Sequence, residues 1–240
     1  MVRTVIVIIF LVLFGISSLI ALPVLALVGK VSPAKKLSMS TAYIRGALKI
    51  ILFLTGVKYT VIGRENIPSD RPVLYAINHR GFFDLVLAVA VIPGNVGCVA
   101  KKELAKPGVA IWMKNIKCVF LDRQNPREGI KAIMEAIENV KNGTSMLIAP
   151  EGTRNHGAGV QEFKPGSLKI AEKTGCPIIP VAITGSDDVL ENHFPKLKAV
   201  PMTIEFGEPV DVAGMTKEDK KNLLTMVHDR VLTMYEKNNK

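Results

Sequence analysis

Val73-Leu74-Tyr75-Ala76-Ile77-Asn78-His79-Arg80-Gly81-Phe82-Phe83-Asp84, running on into the apolar stretch Leu85 to Ile92, joins a strand to a helix through a loop that carries an imidazole and a carboxylate. Val73 to Ile77 is a short apolar run of the kind that fills a buried strand, Gly81 permits a tight bend, and Leu85 to Ile92 can be helical. Histidine's unperturbed pKa of about 6.5 lets it accept and return a proton near neutrality, and a carboxylate on its far nitrogen fixes the tautomer. On one regular helix, residues five apart point roughly 140° away from each other. His79 and Asp84 therefore meet only if His79 lies in the loop and Asp84 in the first turn of the helix. The same residues also fit a plainer arrangement, with Asp84 capping the helix and His79 an ordinary loop residue.

Working outward, further short β-branched or apolar runs occur at Tyr59 to Ile62, Val96 to Val99, Cys118 to Leu121, Met146 to Ala149, Ile178 to Ile183 and Met202 to Phe206. Helical patterns lie between several of them. Arg127 to Val140 places Ile130, Ile133, Met134 and Ile137 on one face and stops at Asn142-Gly143. Lys217 to Lys237 follows Thr216-Lys217-Glu218-Asp219, an acidic variant of a capping box. Strands alternating with helices predict an α/β fold, a mostly parallel sheet flanked by helices.

The first part of the chain has a different character. Of 31 basic residues, eight fall between Met1 and Arg64, a stretch with no Asp or Glu, so the remainder is nearly balanced at 23 basic against 21 acidic and the net charge of +10 belongs mostly to the N-terminal part. Because that charge is interleaved with the most hydrophobic sequence, it suits an anionic membrane surface and not nucleic acid. Thr4 to Val28 is twenty-five residues without a charge, longer than the ~20 that a helix needs to cross the hydrocarbon core. Pro23 and Gly15 are possible kinks. A second apolar stretch, Ile44 to Val57, follows closely, and Thr41, Arg45 and Lys49 form one polar stripe along it, the pattern of a helix lying in the interface. The expectation is a retained, membrane-embedded helical hairpin over residues 1–62, dipping into one leaflet, with a single span plus an interfacial helix as the rival. Gly63 to Arg71 then leads into an α/β domain over 63–240, long enough for one sizeable core. Cys98, Cys118 and Cys176 sit singly in apolar runs and read as small core residues in a reducing compartment, with neither a metal site nor a disulfide framework.

A second chemical signal is Pro150-Glu151-Gly152-Thr153-Arg154, directly after the run Met146 to Ala149. Ligands in open α/β sheets bind beyond the carboxyl ends of strands. Arg154 offers a planar fork of donors suited to phosphate, Gly152 lets the backbone approach and Thr153 adds a hydroxyl. Lys101, Lys102, Arg123 and Lys164 leave comparable strand ends, so that a His/Asp pair would face a cradle for an anionic substrate. Scattered surface cations and a Glu151–Arg154 surface pair are the plain alternative; bidentate phosphate binding favours Arg123 and Arg154 over the lysines. The chain lacks Gly-x-Ser-x-Gly, a Walker loop, His-Glu-x-x-His and Gly-x-Gly-x-x-Gly, which withdraws support from serine hydrolysis, nucleotide hydrolysis and zinc proteolysis. His156 and His193 read as surface residues.

From about Tyr59 to Phe206 the chain resembles the 1-acyl-sn-glycerol-3-phosphate acyltransferases, the lysophosphatidic acid acyltransferase family. Asn78 to Asp84 is similar to that family's His-x-x-x-x-Asp box, Phe120-Leu121-Asp122-Arg123 to its second block, Pro150 to Arg154 to its third and Pro177-Ile178-Ile179-Pro180-Val181 to its fourth. Two departures are Lys117, where a glycine commonly opens the second block, and Ala149, where phenylalanine usually precedes Pro150. The resemblance implies direct acyl transfer to the 2-hydroxyl of lysophosphatidic acid, giving phosphatidic acid, with His79 as general base and Asp84 orienting it. It further implies that Arg123, Glu151, Gly152, Thr153, Arg154 and Lys101 bind the acceptor phosphate, that acyl carrier protein or coenzyme A carries the donor, and that no cofactor is needed. The catalytic domain would then lie on the cytoplasmic face of the cell membrane. Another glycerolipid acceptor, or water in a thioester hydrolase, are the alternatives.

Overall fold

Two long helices, α1 (Val2–Val31) and α2 (Pro33–Thr55), open the chain and pack side by side as a hairpin. The computed structural model describes residues 1–157 and 159–239. Ser32 makes the turn between the helices: its side chain accepts the Lys35 N–H, and Pro33 sits at the first helical position, where a missing N–H costs nothing. α1 continues through Gly15 and Pro23 as one helix and buries only Val7, Ser18 and Leu25, leaving most of its Leu, Ile and Val side chains exposed. Both helices are long and apolar enough to cross a membrane.

The polar stripe on α2 does not face outward as expected of an interfacial helix. Thr41 is buried, and Arg45 turns inward to donate to the carbonyl oxygens of Val89 (3.4 Å), Ile92 (2.7 Å) and Gly94 (2.6 Å). Val89 lies in the last turn of α3 (Phe82–Val91), Ile92 caps it, and Gly94 follows two positions later. The last carbonyls of a helix have no intrahelical donor and carry partial negative charge, so a guanidinium there satisfies both needs. Only Lys49 of the three remains exposed.

Seven strands, β1 (Lys58–Ile62), β2 (Leu74–Ile77), β3 (Val96–Lys101), β4 (Val119–Leu121), β5 (Ser145–Ile148), β6 (Ile178–Thr184) and β7 (Pro201–Phe206), form one sheet in the order β1-β7-β6-β2-β5-β3-β4. Every neighbouring pair is parallel except β6 with β7. Each strand sits where an apolar run predicts one, with ends displaced by at most two residues because ladder hydrogen bonds follow backbone pairing and not side-chain polarity. β3, for instance, extends to Lys101, which pairs with Leu121. β1, the last five residues of the stretch grouped with the anchor, is hydrogen bonded into the sheet beside β7.

Alternation along the strands divides the core in two. Tyr75 and Ile77 of β2 face α3 and the anchor, together with Leu52, Leu87, Val181 and Phe206. Leu74 and Ala76 face the opposite layer, built by α5 (Pro126–Lys141), α6 (Lys169–Thr174) and α7 (Lys217–Asn238). The short α4 (Val109–Asn115) follows β3. On α5 the buried face is Ala132, Ala136, Ile137 and Val140, while Ile130 and Met134 are exposed. The expected apolar face is thus rotated toward the alanines, whose small side chains let α5 approach the sheet closely.

Lys117 is the one residue other than glycine with a positive φ among the described residues, at 65°. Its carbonyl lies so close to Gly97 that a Cβ there would come within 2.3 Å of it, which fixes the backbone path at this turn. The left-handed conformation costs an L-residue roughly 1–2 kcal/mol, partly offset by the greater chain entropy that glycine loses on folding. Lys117→Gly is expected to stabilise the domain by about 0.5–1 kcal/mol in denaturant titrations; an unchanged or lowered midpoint would contradict a strained Lys117.

Candidate active site

The carboxyl ends of β2, β3, β4, β5 and β6 lie along one edge of the sheet, and the residues singled out in the sequence leave from there. Asn78 follows β2 directly. Fully buried, it donates its Nδ2 to the Ile183 carbonyl (2.9 Å) and accepts the Ile183 N–H at Oδ1 (2.7 Å). A side-chain amide here imitates a peptide and continues the β2–β6 ladder for one more rung, so the chain leaves the sheet at His79 with a defined direction.

The backbone of His79 is held from both sides. Its N–H donates to Glu151 Oε1 (2.8 Å), and its carbonyl accepts the Asn155 N–H (2.7 Å). Glu151 has no exposed surface, and its second oxygen accepts the Gln161 N–H (3.1 Å). Burial pushes the Glu151 carboxyl above its usual range, while the two backbone N–H bonds and His79 act in the opposite direction. Glu151, grouped with the phosphate-binding residues on sequence grounds, therefore lies inside the structure as a positioning residue for the histidine loop.

His79 and Asp84 do converge, by the loop-plus-first-turn arrangement that their spacing demands. Asp84 Oδ2 lies 3.0 Å from His79 Nδ1 and also accepts the N–H groups of Arg80 (2.7 Å) and Gly81 (2.8 Å). Asp84 is fully buried at the N-terminal turn of α3, where free N–H groups and the helix dipole favour negative charge. With Asp84 as the carboxylate, Nδ1 donates and Nε2 keeps its lone pair. The His79 side chain is 18% exposed, enough to present that lone pair at the surface of the site.

Gly81 is required for a different reason from the one that its sequence context suggests. Its φ of −145° is open to any residue, but a Cβ would come within 2.8 Å of Glu191 Oε2 and 3.1 Å of the Asp187 nitrogen. The chain after β6 is thereby packed onto the start of α3. Glu191 Oε1 accepts the Phe82 N–H (2.7 Å) and pairs with Arg154 Nη1 (3.1 Å), while its Oε2 is buried with no partner among the described residues. From the same segment Asp187 Oδ2 accepts from Arg80 Nε (3.1 Å) and Nη2 (2.7 Å), and Arg80 Nη1 donates to the Gly157 carbonyl (2.6 Å). Arg80 also stands over the ring of Tyr235 in α7, 5.8 Å from its centre.

Of the expected phosphate cradle, Gly152 has a φ of 81° that disfavours any side chain, and a Cβ there would lie 3.9 Å from Arg123 Nη1 and 3.3 Å from Lys164 Cγ. Arg123 and the loop after β5 are thus neighbours, although 29 positions separate Arg123 from Gly152 in sequence. Arg154 is half exposed, Thr153 is exposed beside it, and Lys101 is exposed at the end of β3. The adjacent Lys102 is paired with Asp122 (2.9 Å). Asn78, Asn155, Asp187 and Glu191 are the contributors that sequence reasoning missed; for Asn78, its place between a buried strand and the histidine was the available signal.

A family model described as Acyltransferase matches residues 58–184. Over 199 residues, 82% of this chain and 80% of the relative, the chain is 30% identical to the 1-acyl-sn-glycerol-3-phosphate acyltransferase of Borreliella burgdorferi. It is 26% identical over 222 residues to 1-acyl-sn-glycerol-3-phosphate acyltransferase alpha of Homo sapiens, covering 91% of this chain and 76% of that one. Among solved structures, the 1-acyl-sn-glycerophosphate (LPA) acyltransferase of Thermotoga maritima superposes with a TM-score of 0.81 at 27% identity, over 98% of this chain and 96% of that one.

Replacing Glu151 by Leu removes the acceptor of the partly buried His79 N–H, while the N–H of the exposed Gln161 can turn to water. The loss at His79 costs about 1–3 kcal/mol, and stability is expected to fall by about that much, with faster amide exchange at His79. Wild-type protection at the His79 amide in this variant would show that Glu151 does not hold it.

Proposed function

Because the chain belongs to the 1-acyl-sn-glycerol-3-phosphate acyltransferase family, we propose that it transfers an acyl chain from acyl carrier protein or coenzyme A to the 2-hydroxyl of 1-acyl-glycerol-3-phosphate, giving phosphatidic acid. The observation that carries the chemistry is the His79–Asp84 pair, a partly exposed imidazole whose Nδ1 lies 3.0 Å from a fully buried carboxyl group. In this reading Nε2 takes the proton of the 2-hydroxyl as its oxygen attacks the thioester carbonyl. The tetrahedral intermediate then collapses with rupture of the C–S bond, and the imidazolium returns the proton to the departing thiolate. Asp84 stabilises the transient imidazolium and keeps Nδ1 as the donor. The acyl group passes directly between substrates, with no acyl-enzyme.

Arg154 and Arg123, with the backbone at Gly152, the Thr153 hydroxyl and Lys101, bind the acceptor phosphate and turn its hydroxyl toward His79; such positioning is worth several kcal/mol of the barrier. Arg154 reaches phosphate by exchanging its Glu191 partner for a doubly charged one. Acceptor and product are lipids, and α1 with α2 holds the site at the membrane where they reside. The three cysteines are free and buried, in keeping with a catalytic domain on the reducing cytoplasmic face.

His79→Ala is expected to reduce transfer by on the order of a thousandfold while membrane association persists. Thiol release measured with and without acceptor is the decisive assay: release that is independent of acceptor would identify a hydrolase. Arg154→Ala is expected to raise the KM for the phosphorylated acceptor by about tenfold. Glu191→Gln keeps an acceptor for the Phe82 N–H but frees Arg154, and lowers that KM by about two- to fivefold, a modest effect because the ion pair is half exposed. A raised KM in Glu191→Gln would instead make Glu191 a support for Arg154.

A further inference from the structure

We propose that the segment from Lys102 to Asn115, a 3-10 turn (Lys102–Leu104) followed by α4, is a third membrane-contacting element, seated at the headgroup level of an anionic bilayer beside α1 and α2. The proposal rests on reading α1 and α2 as a membrane anchor.

The depth of this segment follows from what it touches. Trp112, the only tryptophan in the chain, donates its Nε1 to Ser18 Oγ of α1 (3.0 Å), and its ring stacks on Tyr43 of α2 at 4.7 Å with Phe14 of α1 at 5.7 Å. Ser18 lies near the middle of the thirty-residue α1. Close to the start of the same helix, Thr4 Oγ1 accepts the Leu197 N–H (3.1 Å). Thr4 and Ser18 are fourteen residues, or about 21 Å, apart along the helix axis. α1 therefore lies lengthwise against the α/β domain between these two contacts. If it crossed the bilayer upright, it would carry Leu197, α4 and its lysines into hydrocarbon, where charges are costly. Lying along one leaflet, it brings α4 to the surface layer of the same leaflet.

The composition of the segment fits that position. Leu104, Val109 and Ile111 are 42%, 56% and 45% exposed, apolar surface on a segment that packs beside α2. Lys106 and Lys114 stand exposed on either side, long enough to keep their ammonium groups among lipid phosphates while their stems lie in the apolar layer. Trp112 itself is buried and ties the segment to α1 and α2, which leaves Leu104, Val109 and Ile111 as the residues that meet lipid. Since the segment follows Lys101 directly, its seating would hold the Lys101 and Arg123 edge of the site against the lipid surface from which the acceptor comes.

The test uses the full chain bound to vesicles of phosphatidylcholine and phosphatidylglycerol, with matched vesicles whose acyl chains are brominated. Trp112 is buried against α1 and α2, so the probe is a Trp112→Phe, Val109→Trp variant, whose one tryptophan stands at an exposed position of α4; its quenching by the brominated vesicles is expected. In the double variant Val109→Asp, Ile111→Asp, which alters exposed positions only, turnover of vesicle-embedded acceptor is expected to fall by on the order of tenfold, with detergent-dispersed acceptor still turned over at the wild-type rate. Cosedimentation with vesicles but no quenching, or a variant with wild-type turnover on vesicles, would overturn the third contact and leave the anchor standing. Failure to cosediment would overturn the anchor and this proposal together. An equal loss on dispersed acceptor would mean that these residues act on the domain itself, and would overturn the proposal.

Discussion

A buried carboxylate that grips the peptide of a histidine is the constraint on which the rest of the site depends. Glu151 accepts the His79 N–H with one oxygen and the Gln161 N–H with the other. Since β2 and β5 are adjacent parallel strands, their carboxyl ends present His79 and Glu151 side by side, and a single side chain fastens the two loops together. The His79 carbonyl is held in turn by Asn155 of the second loop. With the peptide fixed on both sides, the imidazole needs only the Asp84 carboxylate to settle its orientation. A neutral group at position 151 could not accept two N–H bonds in a buried place as well as a carboxylate does, even though burial raises the free energy of its charged form.

α3 links this site to the rest of the molecule. Asp84 occupies its first turn, against His79, and the guanidinium of Arg45 from α2 binds the carbonyls of Val89 in its last turn, of its cap Ile92 and of Gly94 just beyond. One ten-residue helix thus has the proposed catalytic carboxylate at one end and a hydrogen-bonded tie to the anchor at the other. The orientation of the hairpin and that of the proposed base are set by the same rigid element.

Much of this was legible in the sequence, and what was not has definite causes. The strands are visible because the β-branched and apolar runs are only four to six residues long and bounded by polar or turn residues, too short for helices. The spacing of five shows how His79 and Asp84 can meet, by loop plus first turn, but leaves open whether they do, since a helix cap and an ordinary loop histidine fit the same residues; the hydrogen bond between them decides it. The resemblance groups Glu151 with the phosphate-binding residues, and its local sequence fits a solvated turn; its burial comes from the neighbouring His79 loop, which one sequence does not display. Glu191 and Asp187 arrive from beyond β6 with no local pattern, and only packing on Gly81 brings them near. The stripe on α2 was read as water-facing because periodicity shows that residues share a face without showing what the face meets. On α5, larger side chains outweighed the alanines that actually touch the sheet.

The amide of Asn78 also acts as a ruler. Because it occupies the next rung of the β2–β6 ladder, a residue inserted between Ile77 and His79 would move either the amide off Ile183 or the histidine off Glu151, and no local adjustment restores both. A deletion does the same in the other direction. Length variation compatible with this architecture is therefore excluded from the segment between β2 and α3. It belongs at exposed loop tips, such as Ser69 to Arg71, between the Asn66 bond to β7 and the Val73 bond to Ser145.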